Sequence, residues 1–236
     1  MKRLLGILRN TIEENNLIET GDIVGVGISG GKDSMSLLYE LKKYQSFSPI
    51  DFKVHALNIN IGFEDESSND QLRKFCKSIG VDLTIEYSDI RTVVFDIKEE
   101  KNPCALCANM RRGALAKLAN SLGIKKLALG HHKDDKIETF FMNMFYSGRL
   151  NTFQMKSYLS RSDITVIRPF YEVEEHLIKT FIKKYDIPVI PSNCIVDKET
   201  KREEIKDFLS EIYPRFKGSK KSIERAVKNE EQFNLF

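Results

Sequence analysis

The sequence predicts an α/β fold: a parallel, twisted sheet with helices on both faces, followed by a short helical C-terminal extension. Three observations carry that expectation. Apolar runs of strand length alternate with helical patterns up to Arg168-Pro169. The first run ends in a glycine pair that leads straight into an apolar-periodic helix. After Pro169 the strand-like runs stop and only helical patterns remain.

A leading helix is expected over residues 3–16, where Leu4, Leu5, Leu8 and Ile12 form one apolar stripe. Strand-like runs fall at 23–28, 52–59, 83–87, 126–130 and 164–167, with helical patterns between them at 34–44, 67–79, 106–122 and 136–145. Residues 173–185, 201–212 and 219–228 read as helices punctuated by Pro188, Pro191, Pro214 and Gly218. The expected organisation is an α/β domain over 1–170, carrying the leading helix and a cysteine segment, with a helical extension over 171–236 packed on it. In such a sheet, ligands sit beyond the carboxyl ends of the strands, so the loops after each strand are where chemistry is expected.

Composition narrows the function classes. The chain has 236 residues, 41% hydrophobic and 30% charged, which is globular rather than disordered. A chain this long buries roughly 70–75% of its unfolded surface and needs no disulfide or metal merely to fold. No run approaches the ~18 apolar residues of a membrane span, and the first sixteen residues lack the apolar core and cleavage site of a secretion signal. Four cysteines make no disulfide scaffold, and the reducing cytoplasm is the expected compartment. Net charge is only +3, yet it is unevenly placed. From Lys101 to Lys133 there is no carboxylate, while Arg111, Arg112, Lys117, Lys125 and Lys126 fall inside. A second basic stretch holds Arg215, Lys217, Lys220, Lys221, Arg225 and Lys228 against Glu224 alone. Such clusters read either as solvated helix faces or as a footprint for a polyanion.

The first strand runs into Ser29-Gly30-Gly31-Lys32-Asp33-Ser34. Two glycines let the backbone turn tightly so that its N–H groups point at an anion, and the following helix start adds its positive dipole end. Lys32 and the serine hydroxyls supply further donors. Gly25, Gly27 and Gly30 match a dinucleotide fingerprint, but the first two lie inside the strand rather than at its end. A Walker A reading fails because Val26 replaces a glycine and Asp33 stands where a hydroxyl should hold magnesium.

Two more segments carry unusual residues. Gly130-His131-His132-Lys133-Asp134-Asp135 follows another strand and leads into a helix with Glu138 and Thr139. Neighbouring residues of an extended turn point apart, so these four acid and imidazole groups do not readily grip one transition metal. Hard carboxylate oxygens suit Mg²⁺ shared with phosphates. Cys104-Ala105-Leu106-Cys107 precedes the basic helix, and Cys194 follows Pro191-Ser192-Asn193. Cys76 sits in a helical stripe with Leu72, Phe75 and Ile79 and reads as core. For the other three cysteines, spacing leaves open a zinc site, a redox CxxC, an iron–sulfur cluster with one open iron, or no joint role.

The string at 29–34 resembles the signature of the PP-loop ATP pyrophosphatases, a Rossmann-like fold family. Asn58 and Ile59 match that family's adenine-edge positions. Together with CALCANMRRGAL, LALGHHKDDKIETFFMNMFYSGRL, IRPF and IPSNC, in order across nearly the whole chain, it resembles the tRNA 2-thiocytidine synthetases of the TtcA type. The resemblance implies an ATP-dependent tRNA sulfurtransferase that adenylates C2 of an anticodon-loop cytidine, releases pyrophosphate, and replaces the oxygen with sulfur. It implies that ATP is held by Ser29, Gly30, Gly31, Lys32, Asp33, Ser34, Asn58, Ile59, Gly130, His131 and Asp134, with Asp134 and Asp135 serving Mg²⁺. It implies a [4Fe–4S] cluster on Cys104, Cys107 and Cys194, with Ser192 where the family has another cysteine. Lys32, Asp33, Asp135, Arg111 and Arg112 are the expected catalytic set. Arg168 matches a further basic position of the family, suited to phosphate or tRNA. The implied partners are tRNA, ATP and a sulfur donor, either sulfide or a persulfide made by a cysteine desulfurase; no membrane is expected, and a homodimer is compatible with the sequence. Thiolation of a uridine, lysidine synthesis and non-catalytic nucleotide binding are the alternatives. The cysteines speak against lysidine synthesis, and the absence of paired CxxC knuckles speaks against the uridine enzymes.

Overall fold

A computed structural model describes residues 2–98, 103–191, 193–194 and 200–229. Lys101, Ser192 and residues 230–236 lie outside the described residues. The chain divides into two compact units, Met1–His132 with Met155–Ile195, and Lys133–Gln154 with Val196–Phe236.

The first unit is built on a six-stranded sheet of order β3-β2-β1-β4-β6-β5. Its strands are β1 (Ile23–Gly27), β2 (Lys53–Asn60), β3 (Asp82–Tyr87), β4 (Lys126–Ala128), β5 (Lys156–Leu159) and β6 (Ile164–Ile167). All pairings are parallel except the last: β5 runs antiparallel to β6. That edge strand, which the sequence pattern did not mark, adds one antiparallel pair to the expected parallel sheet. KSYL has one strong apolar residue, and at the sheet edge it needs none inside, since alternate side chains stay exposed.

Helices cover both faces. α1 (Lys2–Glu14), α2 (Lys32–Gln45), α3 (Glu66–Ser78) and α6 (Glu175–Tyr185) contribute to one apolar cluster, and α4 (Pro103–Ser121) packs into the other. The strand period of two sorts neighbouring side chains between them. Ala56, Ala128 and Ile167 belong to the first cluster, while their neighbours Leu57, Leu127 and Val166 belong to the second. On β1, Val24 and Val26 face the first cluster. Between them Gly25 makes room for the second, where a Cβ would come within 2.8 Å of Leu57. The first two glycines of the apparent dinucleotide fingerprint, Gly25 and Gly27, thus lie within a packed strand. A single π-helical turn at Thr92–Ile97, invisible to periodicity, precedes α4.

One polar group is caught in this core. Glu40 on α2 is fully buried, and neither carboxyl oxygen meets a hydrogen-bond donor among the described residues. Burial pushes its pKa up to about 7, with Lys43 pulling weakly the other way.

The second unit contains α5 (Lys133–Ser147), α7 (Lys201–Arg215) and α8 (Ser219–Lys228). Its core is Ile137, Ile205 and Leu209, flanked by Phe141, Met142, Tyr213 and Ile223. No helix among the described residues is long and apolar enough to cross a membrane.

Candidate active site

Strand β1 delivers the 29–34 loop at its carboxyl end, and the loop folds on itself through its hydroxyls. Ser34 Oγ donates to the Gly31 carbonyl at 3.0 Å and accepts from the Ser29 amide at 3.1 Å. The Gly31 amide reaches Ser29 Oγ at 3.4 Å. Gly30 has φ +82, a conformation L side chains rarely adopt, and a Cβ there would stand 2.9 Å from Ile190. The Ile190 amide in turn donates to the Gly30 carbonyl at 3.0 Å, so the 187–190 segment lies along the loop. At the start of α2 the cap is Gly31, which supplies no side-chain bond to the first amides. A tight glycine turn running into a helix start without a side-chain cap is suited to an anion.

The charges at this loop form a chain. Lys32 Nζ lies 2.8 Å from Asp33 Oδ2 and 3.0 Å from Glu175 Oε1, and the other oxygen of Glu175 takes Lys179 at 2.8 Å. Asp33 Oδ1 stands 3.7 Å from Nε2 of the buried His132. Burial alone would lower the Lys32 pKa, but Asp33 and Glu175 outweigh it and hold the ammonium above its ordinary range. Glu175 was not expected from sequence. It opens α6, 142 positions beyond Asp33, and only the folded sheet brings it to Lys32.

Gly130 reaches the same loop. A Cβ there would come within 3.0 Å of the Asp33 carbonyl carbon and the Ser34 amide nitrogen, so only glycine permits this approach. Asn58 is buried and directs its amide to the Ile28 carbonyl at 2.9 Å, bracing the strand end that carries the loop. Ile59 is fully buried in the second cluster. Its side chain is therefore core, leaving its backbone for any ligand edge.

The cysteines correct one expectation. Cys104 and Cys107 stand in the first turns of α4, which starts at Pro103, rather than ahead of the helix. Proline favours a first helical position because its missing N–H would have no partner there anyway. The Cys107 thiol is pushed up by burial, pulled down by Arg111, and pushed up again by Cys194, Cys104 and Glu64, so Cys107 feels both the neighbouring Cys104 and the sequence-distant Cys194. Ahead of Cys194, the Ile190 amide is bonded to Gly30 and the Asn193 side-chain amide lies 3.4 Å from the Phe63 carbonyl. Among the described residues, no group of three or more His, Cys, Asp or Glu is arranged to hold a metal ion. Thiols nonetheless suit an iron–sulfur cluster in donor type, since each thiolate there binds its own iron and need not converge on one ion.

Arg111 is half-buried beside Cys107; burial lowers its pKa, opposed by Glu64 and Cys107. Arg112 is exposed and donates to Asn109 at 3.2 Å. Arg168 is buried, and desolvation together with the charge of Arg112 lowers its pKa to about 10. With Asn109, Tyr158 and Arg161, Arg112 lines a cavity of about 370 Å³.

In the second unit, Asp134 and Asp135 occupy the first turn of α5 rather than an extended turn. Asp134 receives Lys220 at 2.8 Å. Arg202 reaches Asp135 at 3.2 Å, Glu138 at 3.1 Å and Thr139 Oγ1 at 3.2 Å. Lys133 pairs with Glu224 at 2.7 Å. The two aspartates thus anchor α7 and α8 to α5, a role that sequence spacing did not suggest.

Residues 6–212 match the family model for the PP-loop domain. The tRNA-cytidine(32) 2-sulfurtransferase of Neisseria gonorrhoeae is 38% identical over 97% of this chain and 72% of its own length. That of Azotobacter vinelandii is 38% identical over 97% of this chain and 84% of its own. Among solved structures, the U34-tRNA thiolase NcsA from Methanococcus maripaludis with its [4Fe-4S] cluster gives a TM-score of 0.79 at 24% identity, covering 96% of this chain and 77% of that one. The NH3-dependent NAD synthetase from Campylobacter jejuni gives 0.53 at 16% identity, over 100% of this chain and 94% of that one. At these identities the structural likeness is one of fold.

Proposed function

The chain belongs to the PP-loop domain family and, within it, to the tRNA-cytidine(32) 2-sulfurtransferases, and we propose that it thiolates C2 of cytidine 32 in tRNA, using ATP and releasing pyrophosphate and AMP. The observation that supports this most is that Arg111, Cys194 and Cys104 all act on the Cys107 thiol, on the same unit as the 29–34 loop.

The chemistry begins with a poor leaving group. The cytosine O2 attacks the α-phosphorus of ATP, the bond to pyrophosphate breaks, and C2 becomes electrophilic with AMP as its leaving group. The amides of residues 29–34 would hold the phosphates, and Lys32, kept protonated by Asp33 and Glu175, would neutralise charge on departing pyrophosphate. Asn58 fixes the end of β1, and the backbone at Asn58 and Ile59 is the proposed adenine edge. Gly130 and His131 complete the proposed ATP set, and the family resemblance assigns Asp134 and Asp135 to Mg²⁺. Cys104, Cys107 and Cys194 would hold a [4Fe–4S] cluster whose open iron would bind and present the external sulfur that replaces O2. Arg111, desolvated beside Cys107, would stabilise negative charge at the sulfur side, and the exposed Arg112 would steady the tRNA backbone. The proposed sulfur source is sulfide or a desulfurase-derived persulfide, and the proposed compartment is the cytoplasm.

Pyrophosphate release tests the enzyme reading directly. With Mg²⁺-ATP, release is expected to depend on added unmodified tRNA. ATP binding without tRNA-dependent release would make the chain a nucleotide binder instead.

A further inference from the structure

Helix α8 divides into two faces. Lys220, Ile223, Glu224 and Val227 follow the i, i+3, i+4, i+7 rule and turn inward: Lys220 pairs with Asp134, Glu224 with Lys133, Ile223 packs on the core, and Val227 is buried. The opposite face carries Lys221 and Arg225, one turn apart and exposed. The turn leading into the helix adds Arg215 and Lys217, also exposed. Among the described residues, none of these four cations lies within ion-pair distance of a carboxylate. The basic residues that face α5 are neutralised, whereas those that face solvent are left charged. Phe216 lies between two of them with 62% of its surface exposed, and its ring touches no other aromatic ring among the described residues.

We propose that this α7–α8 corner is a tRNA-docking surface, with Arg215, Lys217, Lys221 and Arg225 on backbone phosphates and Phe216 stacked on an unpaired base. Solvated lysines alone would explain the charge, but a phenylalanine ring flanked by cations, largely exposed and in no apolar core cluster, costs hydration. Together they provide the two elements that bind RNA without reading sequence, a cationic track and a stacking platform. The inference rests on the tRNA reading above and adds where on this chain the RNA is held.

Equilibrium binding of an unmodified tRNA transcript, measured across about 50–200 mM KCl, tests it. Replacing all four cations (Arg215→Ala, Lys217→Ala, Lys221→Ala, Arg225→Ala) is expected to weaken binding about 10–100-fold and to flatten the salt slope by about 3–4. Phe216→Ala should weaken binding about tenfold and leave the slope unchanged, because stacking releases no counterions. Both variants should melt at the wild-type temperature and bind ATP normally. The pair Lys221→Glu and Arg225→Glu, confined to the exposed face of α8, supplies the same test if the fourfold variant folds poorly. Wild-type affinity and slope in a folded charge variant would overturn the surface while leaving tRNA as the substrate. A wild-type protein that binds ATP but not tRNA would overturn both.

Discussion

Helices α2 and α5 both begin after a glycine-containing loop and both carry carboxylates in their first turn, yet they direct them at different neighbours. At α2, Asp33 and Glu175 converge on Lys32, on a loop whose helix cap is a glycine without a side chain. Charge there is held ready beside amides that suit an anion. At α5, Asp134 and Asp135 are taken up by Lys220 and Arg202 from the C-terminal helices. Charge there fastens one helix to another. Similar sequence at a helix start therefore does not fix which partners its acids find; what approaches from elsewhere in the chain decides it.

Removing the cation at each start should separate the two roles. Lys32→Ala is expected to lower tRNA-dependent pyrophosphate release at least ~10²–10³-fold, the scale of losing one preorganised donor to developing charge, with circular dichroism unchanged. Normal turnover in a folded variant would take Lys32 out of the mechanism. Cys194→Ser bears on the same unit but on the second half of the reaction. It should lose bound iron and form no thionucleoside while binding ATP like the wild type. Retained iron and product would place the third ligand elsewhere.

A smaller effect is expected further along α2. Unfolded, Glu40 ionises near its ordinary 4.5, while folded it keeps its proton up to about 7. The native state therefore binds more protons in that window, so stability falls as pH rises through it and levels off above. The contribution is about 3 kcal/mol at most. Glu40→Gln should remove this slope in denaturant melts between pH 5 and 8, and identical pH profiles for the two proteins would show that Glu40 is ionised in the fold. The smallest effect is expected at α5. Arg202→Ala leaves Asp135 and Glu138 without its guanidinium, and about 1–2 kcal/mol of stability should go with it, since the side chain is partly exposed. A melting temperature equal to wild type would mean that α7 is held by its apolar contacts alone.

The fold was legible because its determinants are local. Strand-like runs, the helix of residues 34–44 and the glycine turn at 30–31 are each written within a dozen residues. The 29–34 loop was legible for the same reason, since the hydroxyl bonds that fold it run between residues at most five apart. The antiparallel β5 escaped because an exposed edge strand needs little hydrophobicity. Glu175, Arg202 and Lys220 escaped because each acts on a residue at least 60 positions away, and an acid or base on a helix surface looks the same whether or not a partner waits across the fold. Cys194 lies between these cases. Spacing could not join it to Cys104 and Cys107; family resemblance proposes the link, and in the fold Cys194 acts electrostatically on Cys107.

The central claim is that one chain couples ATP-driven activation of a cytidine to sulfur insertion. Nucleoside mass spectrometry of unmodified tRNA, after anaerobic incubation with iron-reconstituted protein, Mg²⁺-ATP and sulfide, tests it most directly. The account predicts 2-thiocytidine. A thiouridine, or ATP consumed with iron bound and no thionucleoside formed, would contradict it.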